Sequence, residues 1–321
     1  MTQMLVGVGI ATIDVIQEVD AYPEDPRAVF TEDQVISAQM GTQCHWIGTM
    51  TDPSRDSDAA LVKADLESYG VDVKAVSVLP NGAMPTSYIL ASSGTGSRTI
   101  IHHRDLPELS FDAFVNGYER LSQESEPELF QQAWFHFEGR NMQNVKNMMA
   151  FIQEQTAHRG HRHTMSVEVE ALRHDWHQAL ELLKTSDFGF ISKDYIRKKL
   201  GFPQATAFFD YLRGLRGITW NLRAVICPWG DDGVYYMDLH ESTDHHIPAQ
   251  TLVTMVDSVG AGDSFIGATV AMLSRGIALG VALQTACQVA AAKCRQHGFR
   301  LPETAIEQAV GELDTDDTYV R

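Results

Sequence analysis

The sequence predicts an α/β fold of three layers, a mainly parallel sheet between two layers of helices, carrying a small β-sheet as an appendage. Three observations predict it. From about Phe111 onward, short apolar runs alternate with stretches of helical periodicity, the pattern of βαβ units and a parallel sheet. The chain begins with a dense apolar run, MLVGVGIATIDVI, suited to a central strand buried on both faces. Two alternating segments, TSYILASS and RTIIHHRD, flank GTGS and read as a β-hairpin.

Taken in order, residues 4–15 form the first central strand. Gly7 and Gly9 there begin a G-x-G-x-x-G pattern that stops at Thr12, so the dinucleotide-binding fingerprint, and with it a dehydrogenase, is disfavoured. The turn-rich AYPEDPRA comes next, then VISAQ, whose alternation reads as a strand, then TQCHWIGT as a parallel core strand. Only Met40 and Gly41 separate those two, whereas a parallel crossover needs a dozen or more residues, so either the two make a tight hairpin or a segment is missing there. After the hairpin, AWFHFEG, HTMSVEVE, DFGFIS and AVICPWG read as strands, NVKNMMAFIQEQTAH and HQALELLKT as helices. The chain is helical from Ser264 to about Gln296, broken near Gly276 and Gly280. The expectation is one domain over 1–321, with lid segments at approximately 16–40 and 84–104.

Bulk chemistry excludes several functions. The 321 residues, 44% of them hydrophobic, suffice for a large core, and 25 Lys and Arg against 42 Asp and Glu give a net charge of −17. That balance argues against nucleic acid and against an anionic membrane surface. No basic region precedes the first apolar run, which therefore reads as a strand and not a signal peptide. The four cysteines lack C-x-x-C pairing, which fits reduced thiols and a cytoplasmic protein, and the 13 histidines form no convincing ligand set.

The chemistry concentrates in DSVGAGDSFIGATVAML, Asp257 to Leu273, where glycines and a carboxylate stand before a helical apolar run. Asp263 or Ser264 can cap that helix. Alternatively, Gly260, Ala261 and Gly262 form an anion cradle on the helix's unpaired N–H groups, and Asp263 accepts a proton from a hydroxyl attacking the bound phosphoryl group.

Asp257-Ser258-Val259-Gly260-Ala261-Gly262-Asp263 resembles the D-T-x-G-A-G-D signature of the ribokinase-like (PfkB) carbohydrate kinases. The resemblance is nearest to their ketohexokinase branch and extends through VGIATIDVI, GSRTI, HFEGRN, SVEVE, ISKD and CQVAAAKC. It implies the three-layer αβα ribokinase-like fold and an ATP-dependent sugar kinase acting on fructose or another ketohexose. Another sugar, a sugar phosphate, a nucleoside, or a non-catalytic nucleotide-binding homologue are the alternatives. Asp263 is implied as the general base, contacting the sugar as well, with Gly260, Ala261 and Gly262 as the anion hole. Asp14 is implied as a sugar ligand, against the plainer reading of a strand-end aspartate. Arg98 is implied at the nucleotide phosphates, where a bidentate donor suits, against a merely solvated arginine. Gly230, Asp231, Asp232 and Gly233 are implied along the nucleotide, against an ordinary turn, with Cys294 near the adenine. The resemblance also implies Mg2+, a monovalent cation such as K+, and a homodimer through the lid, in which Asp25 would approach the partner's site unless it is simply solvated. Two departures matter. Ser192-Lys193-Asp194-Tyr195 stands in place of Asn-x-x-Glu, so no metal ligand is named, and the Gly-Gly-Asn-x-x-Asn segment is absent, which again points to an omission between Met40 and Gly41.

Overall fold

A computed structural model describes residues 3–18, 27–29, 32–91, 98–215, 220–252, 255–298 and 300–311. The strands are β1 (Leu5–Val8), β2 (Ile13–Glu18), β3 (Arg27–Val29), β4 (Cys44–Ile47), β5 (Thr49–Thr51), β6 (Val71–Asp72), β7 (Ser77–Leu79), β8 (Thr86–Ala91), β9 (Arg98–His103), β10 (Trp134–Phe137), β11 (Thr164–Val169), β12 (Phe188–Ile191), β13 (Ala224–Pro228), β14 (Val234–Asp238) and β15 (Thr243–Ile247). The helices are α1 (Glu32–Gln39), α2 (Ser57–Ser68), α3 (Phe111–Glu124), α4 (Pro127–Phe130), α5 (Met142–Arg159), α6 (Trp176–Thr185), α7 (Ala205–Gly214), α8 (Ala261–Leu273), α9 (Leu279–Cys294) and α10 (Glu303–Gly311).

Nine strands make the central sheet in the order β15-β14-β13-β12-β11-β10-β1-β4-β6. From β13 to β6 all neighbours run parallel, and β14 and β15 close one edge antiparallel. The strands β1, β4, β10 and β12 are buried at every residue, because helices cover both faces of a parallel sheet. Alternate side chains feed two cores. Leu5, Cys44, Trp46 and Trp134 pack with α1, α8, α9 and α10, whereas Val6, Ile47, Phe135 and Phe137 pack with α3, α5, α6 and α7. The exposed edge strand β15 carries Thr-Asp-His-His, a polar face that discourages pairing with another chain.

A separate sheet of order β3-β2-β8-β9 joins two antiparallel hairpins through the parallel pair β2 and β8. The hairpin expected around GTGS is therefore present as β8 and β9. Its residues alternate in exposure: Ser87 and Ile89 are buried, while Tyr88 between them is 50% exposed.

The reading of VISAQ as a strand is corrected: these residues lie in α1, with Val35 and Ile36 in the core beneath α8. The alternation deceived because two polar residues, Gln34 and Ser37, are buried beside the apolar ones. Helix α1 is itself the crossover into β4, and it closes in a Schellman motif, with Gly41 at φ +80°. The Thr42 N–H donates to the Ser37 carbonyl at 3.1 Å and the Gly41 N–H to the Ala38 carbonyl at 2.8 Å. The junction at Met40 and Gly41 is thus a continuous helix cap, and the topological reason for an omitted segment there falls away. From Glu32 onward the first expected lid segment belongs to the body of the fold. Asp25 lies outside the described residues.

Candidate active site

Strands β1, β10 and β11 all end at one side of the sheet, and the chain leaving each lines a cleft of about 330 Å³. Gly9 and Ile10 follow β1, Glu138 to Arg140 follow β10, and Glu170 and Ala171 follow β11. The small sheet forms the roof through Asp14, Ser87, Ile89 and His102, while α1 contributes Gln34 and the start of α8 contributes Gly260 and Asp263. A crevice at the carboxyl ends of parallel strands is where open α/β sheets bind ligands.

The turn before α8 is built to leave its N–H groups free for an anion. Gly260 occupies the N-cap position at φ +73°, in the left-handed region, and no side chain caps the helix. Ser264 is the first intrahelical donor, its N–H on the Gly260 carbonyl at 2.9 Å, so the N–H groups of Gly262 and Asp263 before it have no intrahelical acceptor, while that of Ala261 is held by the Ser258 carbonyl at 3.3 Å. Asp263 is therefore not the cap. It is the third helical residue, half-buried, on the cleft wall. Asp257 holds the turn from the other side: its carboxylate accepts from the Val259 N–H at 2.9 Å and from Lys293 Nζ at 2.7 Å. Lys293 also donates to the Asp257 carbonyl at 3.1 Å, and none of its side chain is exposed.

Electrostatics mark the same wall. Burial raises the Glu170 carboxyl above the usual carboxylate range, and the nearby Asp263 and Glu138 raise it further. Glu138 is anchored by the Ile10 N–H at 3.1 Å and by Arg140 Nε at 2.6 Å. The two glycines of the first strand are explained sterically: a Cβ at Gly9 would lie 2.6 Å from Glu138 Oε2, and one at Gly7 would lie 1.9 Å from Gln34 Nε2. Beneath the cleft, burial drives the His136 ring down to about 4. Its Nδ1 lies 2.8 Å from Ser166 Oγ, which also accepts from Trp134 Nε1 at 2.8 Å. His102 is lowered by burial and then by Arg140, Arg104 and Arg173.

The structure brings Asp14, Gly260 and Asp263 into one cleft, with Ala261 and Gly262 beside them on α8. The residues expected along the nucleotide stand outside its lining. Gly230 to Asp232 form a 3-10 turn after β13, and a Cβ at Gly233 would lie 2.1 Å from the Ile247 carbonyl oxygen. The Cys294 thiol is raised by burial and feels Lys293, Asp257 and Asp231, so the two loops meet at the end of α9. Arg98 begins β9 opposite Ala91, and its side chain lies outside the described residues. Asp194 pairs with Lys198 at 2.8 Å, and Lys193 donates to the Trp229 carbonyl at 3.2 Å. Among the described residues no group of three His, Cys, Asp or Glu side chains is set to hold a metal ion. The carboxylates Glu170 and Asp263 fit the lesser demand of a magnesium ion carried by phosphates, for which one or two protein carboxylates suffice.

Glu138, Arg140, Glu170 and Gln34 escaped the sequence reading as site residues. For the first three a signal existed, since HFEGRN and SVEVE place charged residues at the carboxyl ends of central strands. For Gln34 there was none.

Fold and cleft together are those of a ribokinase-like kinase. The chain belongs to the pfkB family of carbohydrate kinases, whose model matches residues 35–306. Mouse (Mus musculus) ketohexokinase is 30% identical over 307 residues, 91% of this chain and 96% of that protein. Ribokinase from Giardia lamblia shares the fold with a TM-score of 0.77 at 13% identity, over 97% of this chain and 99% of that one. Adenosine kinase from Sinorhizobium meliloti does so with a TM-score of 0.76 at 14% identity, over 98% and 100%. The protein is accordingly a phosphotransferase acting on a hydroxyl of a sugar-type acceptor, in a family for which ATP and Mg2+ are general.

Proposed function

We propose that this chain is an ATP-dependent sugar kinase whose acceptor is fructose or another ketohexose, with Asp263 as general base. The observation that carries the reading is the meeting of Asp14, from the small sheet, and Asp263, from α8, across one cleft beside uncapped helix N–H groups. Asp14 accepts hydrogen bonds from sugar hydroxyls and orients the ring. Asp263 takes the proton of the attacking hydroxyl, whose oxygen forms the new bond to the γ-phosphorus as the bond to ADP breaks. Gly260, Ala261 and Gly262 form the anion hole, in which the Gly262 N–H, with that of Asp263 beside it, donates to the oxygens of the moving phosphoryl group, while the Ala261 N–H is held by the Ser258 carbonyl at 3.3 Å. Arg98 and the turn of Gly230, Asp231, Asp232 and Gly233, with Cys294, hold the nucleotide.

A magnesium ion, when bound, supplies neutralisation of the phosphate charge, and Glu170 is the side chain of this chain best suited to hold it. A monovalent cation such as K+ would add to the fixed charge that Lys293 places against Asp257. The small sheet acts as the lid, excluding water that would otherwise take the phosphoryl group. Its outer face exposes Tyr88 and Ile101, cross-strand partners 50% and 57% exposed, and we assign this face to a cytoplasmic homodimer. Light scattering should then give twice the monomer mass of 35.6 kDa.

The deciding experiment is a panel of ketoses, aldoses, sugar phosphates and nucleosides incubated with Mg-ATP and read by product mass. A ketohexose phosphate as the main product supports the proposal. A nucleoside or aldose product replaces the acceptor, and ATP binding without any phosphorylated product overturns catalysis.

A further inference from the structure

We infer that Gln34 selects the acceptor: its amide oxygen accepts a hydrogen bond from a hydroxyl of the sugar other than the one Asp263 deprotonates, and so fixes which hydroxyl reaches the base. The inference rests on the kinase reading of the same cleft.

The side chain of Gln34 is a built feature of the cleft wall. It is only 4% exposed, yet its Oε1 is buried with no hydrogen-bond partner among the described residues. A buried amide oxygen left unpaired is costly, and it persists where a ligand supplies the missing donor. The neighbouring backbone makes room for it, since any side chain at Gly7 would collide with Gln34 Nε2. A strand residue has been reduced to glycine under an amide that faces the cleft.

Its position relative to the base is fixed by a second contact. Ser37 Oγ, one turn beyond Gln34 on α1, donates to the carbonyl of Gly267 at 2.7 Å, one turn beyond Asp263 on α8. Both helices start at the cleft, and this buried bond ties them to one another one turn in, so Gln34 and Asp263 stand on two joined helices. A carbonyl oxygen can receive an O–H but cannot take its proton, whereas the carboxylate of Asp263 can do both. Two acceptors held at fixed spacing therefore sort the hydroxyls of a polyol, one to be bound and one to react. The recognised class is an acceptor with at least two free hydroxyls. An amide does this work on α1 although the chain lacks the Gly-Gly-Asn-x-x-Asn segment.

The test compares the full chain with Gln34→Ala, Gln34→Met and Gln34→Asn, using the best sugar of the panel and its monodeoxy series. Direct sugar binding by calorimetry is measured beside turnover. For Gln34→Ala and Gln34→Met we expect sugar affinity to fall about 10- to 100-fold, with the KM for ATP within twofold of the parent. The parent should reject one deoxy sugar far more than the rest, and that rejection should collapse in both variants, because no amide is then left unpaired. Gln34→Asn should restore part of the selectivity. Gln34→Met keeps the side-chain volume, so a folding defect confined to Gln34→Ala leaves the test intact.

If both variants keep the parent's ranking of the deoxy series, Gln34 is overturned while the kinase reading stands. Sugar binding without turnover overturns the kinase reading, and the calorimetric ranking still decides Gln34. A parent that binds no sugar overturns both.

Discussion

Two helix layers cover the central sheet, and they are built from different residues. On the cleft side, α8 buries Ser264 through Met272 without a break, and α9 meets it with Ala282, Ala286 and Ala291. On the far side, Phe114, Tyr118, Phe130, Phe135 and Phe151 interlock with ring centroids 5.0–6.5 Å apart, mostly edge to face. Small residues bring backbones close and fix where a helix begins; large rings bury area and tolerate adjustment at a distance from the chemistry. In the proposed mechanism the cleft layer holds one helix terminus against a moving phosphoryl group, and the aromatic layer only has to be stable. Damage to the first should appear in kinetics, and damage to the second in unfolding.

The largest effect should come from Asp263→Asn, which keeps the shape of the first turn of α8 but removes the proton acceptor. A positioned base contributes on the order of 10²- to 10⁴-fold, so kcat should fall by that factor with ATP affinity little changed. Because no side chain caps α8, the melting temperature should hardly move. Activity within about threefold of the parent would falsify the assignment of Asp263 as base.

Next comes Lys293→Met, which removes a fully buried ammonium from the Asp257 carboxylate, itself 11% exposed. Breaking a buried pair from one side costs about 3–5 kcal/mol, and the turn carrying Gly260 is tied to that same carboxylate through Val259. Stability and kcat should fall together, measured by urea unfolding and steady-state turnover. Adding Asp257→Asn should return much of the stability, because the orphaned charge is gone. If the double variant is as unstable as the single one, the loss comes from packing and not from charge.

The same contrast explains what could be read from the sequence. The strands AWFHFEG, HTMSVEVE, DFGFIS and AVICPWG were legible because strands buried on both faces are mostly apolar, and α5 and α6 because their apolar residues recur at helical spacing. Gly260 to Asp263 was legible as a local motif, since the glycine N-cap and the helix it starts lie within a few residues. Helix α1 was not legible. Its buried face mixes Gln34 and Ser37 with Val35 and Ile36, and that mixture makes sense only beside Gly7 and Gly267, both distant in sequence. Glu170 was equally hidden, because its raised carboxyl depends on burial and on Asp263, from α8, and Glu138, from the end of β10, reaching the same cleft.

The aromatic layer offers the complementary test. Met149, fully buried on α5, packs in that core. Met149→Ala should cost about 2–5 kcal/mol through lost burial and a cavity, read as a lower urea midpoint. At temperatures where the variant stays folded, kcat and both KM values should match the parent. A kcat that fell with the stability would erase the division between the layers.

The smallest effect per residue is set by pH, and it reaches both sides of the sheet. His136 lies under the cleft with its ring lowered to about 4, and His163 lies among Tyr118, Phe130 and Phe135 with its ring lowered to about 3, burial being the main cause in each. The unfolded chain binds a proton at each ring near pH 6.5, whereas the folded chain refuses it until much lower. Folding is therefore favoured in full above pH 6.5, and stability is lost as the pH falls from there toward the folded values. At pH 5 each histidine should have removed roughly 2 kcal/mol relative to pH 7.5. His163→Phe should remove its own share of that loss, roughly 2 kcal/mol at pH 5, and leave kcat at pH 7.5 unchanged, since its ring belongs to the far layer. His136→Gln should reduce the loss by a similar amount and also disturb turnover, because His136 lines the cleft and Ser166, which accepts from Trp134, holds its ring there. Equal kinetic effects from the two substitutions would show that the sheet transmits strain between its layers and does not isolate them.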